Sequence, residues 1–492
     1  MRKTFFAFFF SLALLSGTHN AFAAPSVSVP DGYTITTQRQ LAPGLTHVQM
    51  ASFSPPERVN IALLAHGSKL ELRTVLSNDA IAEDGPRLER TSSMCLRIRC
   101  VVAVNGDFYA EAGQPVGGLV SGGELVRTPN NSHHQLLIQP GQPPVAETAF
   151  PWKGTLVSTD LQGLSLDGVN VDRGTGKLVL YTPAFGPSTR TNDFGVELTI
   201  DIVQPSGPLR LGRTALVRVT GIRENAGDTS IPAGGAVLSG HNERAYDLID
   251  LWHRIQTQAT SAEALLRIES TPELAESVGG TPILVRNGSR WFGDENRSFY
   301  KGRHPRTIVG WNDAGDVFLV TVDGRQSGDS VGMTLGEAAS FMIGLGATDA
   351  LNLDGGGSTT FVTRGAVLNR PSDRIVIRSG HEQIVREAGA GEHVLGYVER
   401  PVSVALAIVA PGDRTSGLGD PFAAGPITLP DVRTAVPSSP AVARTAGTAP
   451  AVVSPMGVEL PATSHDDVAG AIALIVIALA AIVGRRRLAP AG

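Results

Sequence analysis

Two aspartates, each followed by glycine, close apolar runs in this sequence. Asp323-Gly324 follows Val317 to Val322, and Asp354-Gly355-Gly356-Gly357-Ser358 follows Ala350 to Leu353. Glycine admits a ligand to backbone N–H groups, and a pair of carboxylates is the working equipment of sugar-bond hydrolysis. Arg306 and Arg325 fall within reach of the same region. Guanidinium groups beside two carboxylates suit cleavage of a sugar bond whose leaving group is an anion. A lone Asp-Gly is most often an ordinary turn, but three consecutive glycines between apolar strands, with Ser358 behind them, favour a site.

The elements that must hold these groups are legible from pattern. Thr307 to Trp311 and Val317 to Val322 are β-rich runs split by the turn residues Asn312 to Gly315, which predicts a hairpin. Val317 to Val322 is unbroken instead of alternating, as expected of a strand covered on both faces. Thr334 and Glu337 form a capping-box signature, and Leu335, Ala338, Ala339, Met342 and Ile343 recur at helical spacing. Gly336, Ser340 and Gly344 fall four apart on that helix and predict close packing. Ala350 to Leu353 and Thr359 to Thr363 read as further strands. Glu337 has its simplest role in the cap. The order strand, strand, helix, strand, strand leads to an expected α+β fold: a mixed β-sheet layered with helices, with glycine-rich loops lining one cleft.

NLDGGGS, the upstream PRT and VDGR, and NGDFY at Asn105 to Tyr109 resemble the phosphodiester glycosidase family. Further matching segments, among them APGLTHV, IPAGGAVLSG, GGTPILVRNG and VLNRPSDR, follow in one order over roughly Leu41 to Val409. The resemblance implies a hydrolase of sugar-1-phosphodiesters acting on a phosphorylated glycan without a cofactor. It implies that Asp354 assists at the anomeric carbon or activates water and that Asp323 is its partner. Asn105, Asp107 and Asn352 are expected to bind sugar hydroxyls, Gly355, Gly356 and Ser358 to line the substrate, and Arg306 and Arg325 to balance the charge of the departing phosphate. Two other readings stand beside this one: a non-catalytic carbohydrate-binding or envelope-assembly protein on the same scaffold, and a glycan hydrolase that needs no phosphate.

At 492 residues and 42% hydrophobic, the chain has material for a sizeable core. A net charge of -5 and the lack of a long basic run away from the ends argue against nucleic acid as a partner. Cys95 and Cys100 are expected to pair in a secreted chain, the alternative being two buried thiols. A metal site is not expected of them without a nearby histidine. His133-His134 reads as a surface or strand-edge pair.

Tyr33 to Thr37, Thr46 to Met50, Val59 to Ala65 and Lys69 to Val75 read as early strands. Ala245 to Arg254 and Ser261 to Ile268 read as helical or mixed. Trp291 to His304 reads as a loop bordering the site, with His304 either a proton carrier or structural. Arg2-Lys3, an apolar run and Ala21-Phe22-Ala23 predict a signal peptide at 1–23. A domain at 24–410 is expected (early strands 31–94, core 95–410). After it come a Pro/Ala/Thr/Ser-rich linker at 411–463 and a membrane helix with a basic tail at 464–492. Leu460 to Ser464 resembles a sortase signal of the LPxTG kind but carries serine in the glycine position. The expected location is outside the cell, held at a bacterial surface through the C-terminal tail at the membrane or cell wall.

Overall fold

The computed structural model describes residues 27–81, 88–293, 298–378, 381–386 and 392–411. The expected leader lies outside the described residues, as do the expected linker beyond residue 411 and the C-terminal helix. Among the described residues no helix is long and apolar enough to cross a membrane.

The expectation of an α+β fold layered with helices is overturned. The protein is mostly β, with 46% strand and 11% helix arranged as several sheets and a half-barrel. Two local causes account for the misreading. The single strong helical signature, Leu335–Leu345, is real but covers only part of one sheet. The segment read as helical or mixed after Ser261 is the strand Glu263–Ser270. There Ala264, Leu266 and Ile268 alternate inward while Leu265 is 49% exposed, and that outward leucine disguises the period of two. The preceding segment is a helix, Glu243–Gln256.

One eight-stranded antiparallel sheet positions the residues of interest. Its order is Thr34–Ala42, Leu45–Phe53, Pro56–Leu64, Val317–Val322, Arg306–Trp311, Asp349–Asn352, Ile283–Arg286 and Ser289–Arg290. Val317–Val322 is buried along its whole length, and its side chains divide between two cores. Phe318, Val320 and Val322 pack under the helix Leu335–Leu345, and Val317 and Leu319 pack on the opposite face. Burial on both faces is why an unbroken apolar run is stable there, each such side chain contributing roughly 1.5–3 kcal/mol.

The helix begins at the expected capping box: Glu337 N–H donates to Thr334 Oγ1 at 3.1 Å, and Thr334 N–H donates to Glu337 Oε2 at 2.9 Å. It ends at Gly346 in the left-handed region. Of its small-residue stripe, Gly344 packs against Pro30, whereas Ser340 is exposed and accepts from Arg290.

A five-stranded sheet braces the first one. It runs Ala366–Val367, Phe361–Thr363, Val102–Asn105, Val404–Val409 and Glu71–Leu76, so the last described strand fills an interior position. Cys95 and Cys100 are joined by a disulfide beside it, with Cα atoms 4.9 Å apart. A second five-stranded sheet carries His134–Ile138 and Glu276–Gly280 side by side. The second eight-stranded sheet, from the region of 152–270, is backed by Glu243–Gln256.

Candidate functional site

Asp354 leaves the sheet one residue after Leu353, whose N–H donates to Thr307 O at 2.8 Å. Its own N–H donates to Gly106 O at 2.9 Å, and Asn105 Nδ2 donates to its carbonyl at 2.6 Å. Asn105 Oδ1 meanwhile accepts from Thr307 Oγ1 at 2.6 Å and from Thr360 N–H at 3.2 Å. Three segments distant in sequence, the NGD turn, the strand Arg306–Trp311 and the triple-glycine loop, are thereby locked around one buried amide. Asn352 donates to Thr281 O at 2.7 Å and to Leu353 O at 2.9 Å, while its Oδ1 is buried without a partner.

Asp354 is 8% exposed, and burial pushes its carboxyl up to about 6. The Ser358 hydroxyl and the Arg400 guanidinium oppose that shift. The negative charge of Asp107 adds to it, and the Gly355 amide opposes it. The shift moves this carboxyl towards the range in which general acids and bases work, and burial moves Asp323 the same way.

Each glycine behind Asp354 has a steric reason. A Cβ at Gly355 would come within 2.7 Å of Pro305 O, and one at Gly324 within 2.7 Å of Pro305 N. These two glycines therefore make room for the start of the strand between them. Gly356 adopts φ +62°, donates to Pro305 O at 2.9 Å, and has the Arg325 guanidinium 3.1 Å from its Cβ position. A Cβ at Gly357 would overlap the Arg400–Asp373 pair, which is bidentate at 2.8 and 2.9 Å. Two guanidinium groups thus bracket the loop.

Arg325 is half-buried at φ +58°, a conformation that arginine adopts rarely. Its carbonyl accepts from Arg374, and its Nη2 lies 3.4 Å from His304 Nδ1. Arg306 is placed differently. Neighbouring strand residues face opposite sides, so with Thr307 turned to Asn105, Arg306 turns the other way. It is 3% exposed and donates to Met333 O and Gly302 O, each at 2.8 Å.

Asp323 and Asp354 do leave the same end of the sheet, but the strand Arg306–Trp311 runs between theirs, which separates them by two strand spacings, roughly 10 Å. Asp323 Oδ1 accepts from Asn369 Nδ2 at 2.9 Å and its Oδ2 from Arg370 N–H at 3.1 Å. Burial also pushes this carboxyl to about 6, opposed by those two hydrogen bonds. The carboxylate whose charge bears on Asp354 is Asp107. It is 1% exposed and held by Gly117 N–H at 2.6 Å and His133 Nδ1 at 3.4 Å.

Several residues of this neighbourhood owe their place to partners far away in the sequence. His133, expected at a surface or strand edge, is buried against Asp107 with its ring edge-on to Phe108. Arg400 lies just after the strand Val394–Val398 and before the last strand, in a segment with no periodicity to flag it. Asp373 falls in the family-like segment VLNRPSDR, 27 residues from its partner Arg400. Tyr109 is part-buried, donates to Pro401 O at 3.2 Å, and burial raises its phenol well above the usual range. Among the described residues no group of three histidine, cysteine or acidic side chains is placed to hold a metal ion.

Residues 214–386 match the family model described as phosphodiester glycosidase. Over 205 residues the chain is 28% identical to the N-acetylglucosamine-1-phosphodiester alpha-N-acetylglucosaminidase of Bos taurus, a match covering 36% of this chain and 38% of that one. The Homo sapiens enzyme of the same name is 32% identical over 126 residues, covering 23% of this chain and 24% of that one. The match therefore spans well under half the length of these relatives. In fold, a hypothetical protein from Synechocystis is similar at a TM-score of 0.53 and 20% identity, over 79% of this chain and 64% of that one.

Proposed function

We propose that the chain is a hydrolase of sugar-1-phosphodiester bonds, with Asp354 as the group that acts at the anomeric centre. The observation that carries this reading is the buried Asp354 carboxyl, poised at about 6 beside a glycine loop bracketed by Arg325 and Arg400. The match of residues 214–386 to the phosphodiester glycosidase model supports the same chemistry.

In its ionised form Asp354 attacks the anomeric carbon or takes a proton from the attacking water. The leaving group is a phosphate monoester with a second pKa near 6, so it departs with little help from an acid, provided a cation balances its charge. Arg325 is assigned that task, because its guanidinium lies over Gly356 at the mouth of the loop. Arg306 is assigned the support of the loops at Gly302 and Met333. Asp107 tunes Asp354 through its charge, and Asn105 and Thr307 fix the loop that carries it. Asp323 braces Asn369 and Arg370 at the neighbouring strand end. Asn352, with a buried acceptor to spare, is assigned a sugar hydroxyl, along with Ser358.

The substrate is placed in envelope or extracellular glycans, in keeping with the leader and anchoring tail expected from the sequence. The test offers the purified chain a panel of sugar-1-phosphodiesters and matched aryl glycosides, with Asp354→Asn as the control. Turnover confined to phosphodiesters and lost in the control is expected, and turnover that survives Asp354→Asn would remove the assignment.

A further inference from the structure

On the far side of the Arg306 strand from Asp354 lies a cleft of about 800 Å³, within the size range of ligand sites. One wall is the outer part of the large sheet, with Gln49, Arg58 and Asn60. The other is the loop from Asn369 to Pro371 together with Tyr397, and Asp323 lies between the walls. No role proposed above for the Asp354 site uses this space.

We propose that this cleft binds a neutral oligosaccharide, as a glycan-chain subsite adjoining the Asp354 site. Three observations carry the proposal. First, the lining carries no excess of positive charge. Arg58 and Arg370 share Asp329, at 2.5 and 2.9 Å, and Asp323 and Glu399 also line the cleft, so carboxyl groups outnumber the arginines and nothing there calls for an anion.

Second, the lining sets amides beside apolar surface, which is the complement of a sugar ring's hydroxyl edge and C–H face. Gln49 Nε2 and His47 Nε2 both meet Asn60 Oδ1, at 3.0 and 3.1 Å, which fixes the amide row, and the part-exposed Ala51, Val367 and Leu368 supply apolar surface to the same lining. Tyr397 is 38% exposed with Arg370 stacked 4.5 Å from its ring centroid, a rigid flat edge at the rim.

Third, the cleft is mechanically continuous with the Asp354 loop. Asn369 Nδ2 donates both to Asp323 Oδ1 at 2.9 Å and to Thr359 O at 3.1 Å, and Thr359 lies one residue past the loop's Ser358. The same loop then reaches Asp373, which holds Arg400 against Gly357. A glycan lying in the cleft thus rests on the segment that frames the reacting end. The proposal rests on the glycosidase reading for the direction in which the chain runs, but not for the existence of the site.

The full chain carrying Asp354→Asn, whose turnover is expected to be too slow to consume a bound glycan, is titrated calorimetrically with cellotetraose, maltotetraose, chitotetraose and laminaritetraose. Binding of at least one is expected. Tyr397→Ala should weaken it about tenfold, Gln49→Ala several-fold, and Tyr397→Phe little, since the ring remains. A second Gln49 variant, Gln49→Glu, guards against misfolding as the cause, because it keeps shape while changing hydrogen-bonding character.

Absence of binding by all four sugars at millimolar concentration overturns the proposal, as does binding that none of the cleft variants alters. Turnover of a monosaccharide phosphodiester by chains with native Asp354 is measured in parallel. Turnover without cleft binding defeats the subsite alone, and cleft binding without turnover of any substrate defeats the catalytic reading alone.

Discussion

Asn105 Nδ2 donates to the main-chain carbonyl of Asp354 at 2.6 Å, across a separation of 249 residues. The residue expected to greet a sugar hydroxyl instead commits both ends of its amide to the protein. Its oxygen serves Thr307 and Thr360 while its nitrogen holds the loop. Removing it strands several buried polar groups, each costing about 1–3 kcal/mol. Asn105→Ala is therefore expected to lower the thermal midpoint and turnover together, as followed by calorimetry and by kcat on the same preparation.

Asp354→Asn separates chemistry from architecture. It preserves the main-chain bonds to Gly106 and Asn105, so the thermal midpoint at neutral pH should hold or rise as a buried charge is removed. Turnover should fall by roughly 10² to 10⁴-fold. Gly356→Val should instead destabilise, because valine resists φ +62° and its Cβ would press on Arg325.

The pH profile reports the charges around Asp354. With the ionised form active, kcat/KM should rise through a pKa of about 6. Asp107→Asn removes a like charge and should move that limb to lower pH. Arg400→Gln removes an opposite charge and should move it higher. Limbs that stay in place in both variants would sever Asp107 and Arg400 from the reacting group.

Arginine by arginine, the two faces of the sheet can be told apart. Arg325→Ala should impair phosphodiesters much more than neutral aryl glycosides, with the midpoint little changed. Arg306→Ala should lower the midpoint and impair both substrate classes alike, since the Met333 and Gly302 carbonyls lose their donor. Steady-state kinetics on paired substrates and thermal unfolding of both variants decide it.

Stability should fall as pH rises. Asp323 and Asp354 are raised to about 6, and Glu124 and Glu276 to about 7, in each case chiefly by burial. The folded state therefore holds protons that the unfolded chain has released. This stabilisation is complete below pH about 4 and is lost as pH passes through about 6 to 7. Glu89, held below its usual range chiefly by Arg97 against the cost of burial, works the other way. Asp323→Asn should flatten the decline in midpoint measured between pH 4 and 8.

Local grammar carried much of this architecture. The hairpin around Asn312 to Gly315, the doubly covered strand Val317–Val322 and the Thr334–Glu337 cap all follow from patterns within a few residues. The segment after Ser261 reads as helical or mixed yet is a strand, because one outward leucine spoils an alternation that only the neighbouring strands define. Pairings between distant segments left still less trace. Nothing near His133 announces Asp107, and nothing near Arg400 announces Asp373 or Gly357. The glycines illustrate both limits. Their clustering marks the loop behind Asp354 in the sequence, yet Gly355 and Gly324 answer first to the crowding of Pro305.

The strand Val404–Val409 lies between Glu71–Leu76 and Val102–Asn105, and Gly106 N–H donates to Val404 O at 2.7 Å. Ribosomes deliver the chain from its N-terminus, so the strand that presents Asn105 waits with an open flank until almost the whole described sequence has been made. Arg400 arrives in the same final stretch. A nascent chain therefore holds every carboxylate of the pocket long before it holds the pocket, and such non-local closure is slow. Assembly of the candidate site is thereby tied to synthesis of the chain through Val409, and a chain halted a few residues before Val404 would leave the strand that presents Asn105 with one flank unpaired.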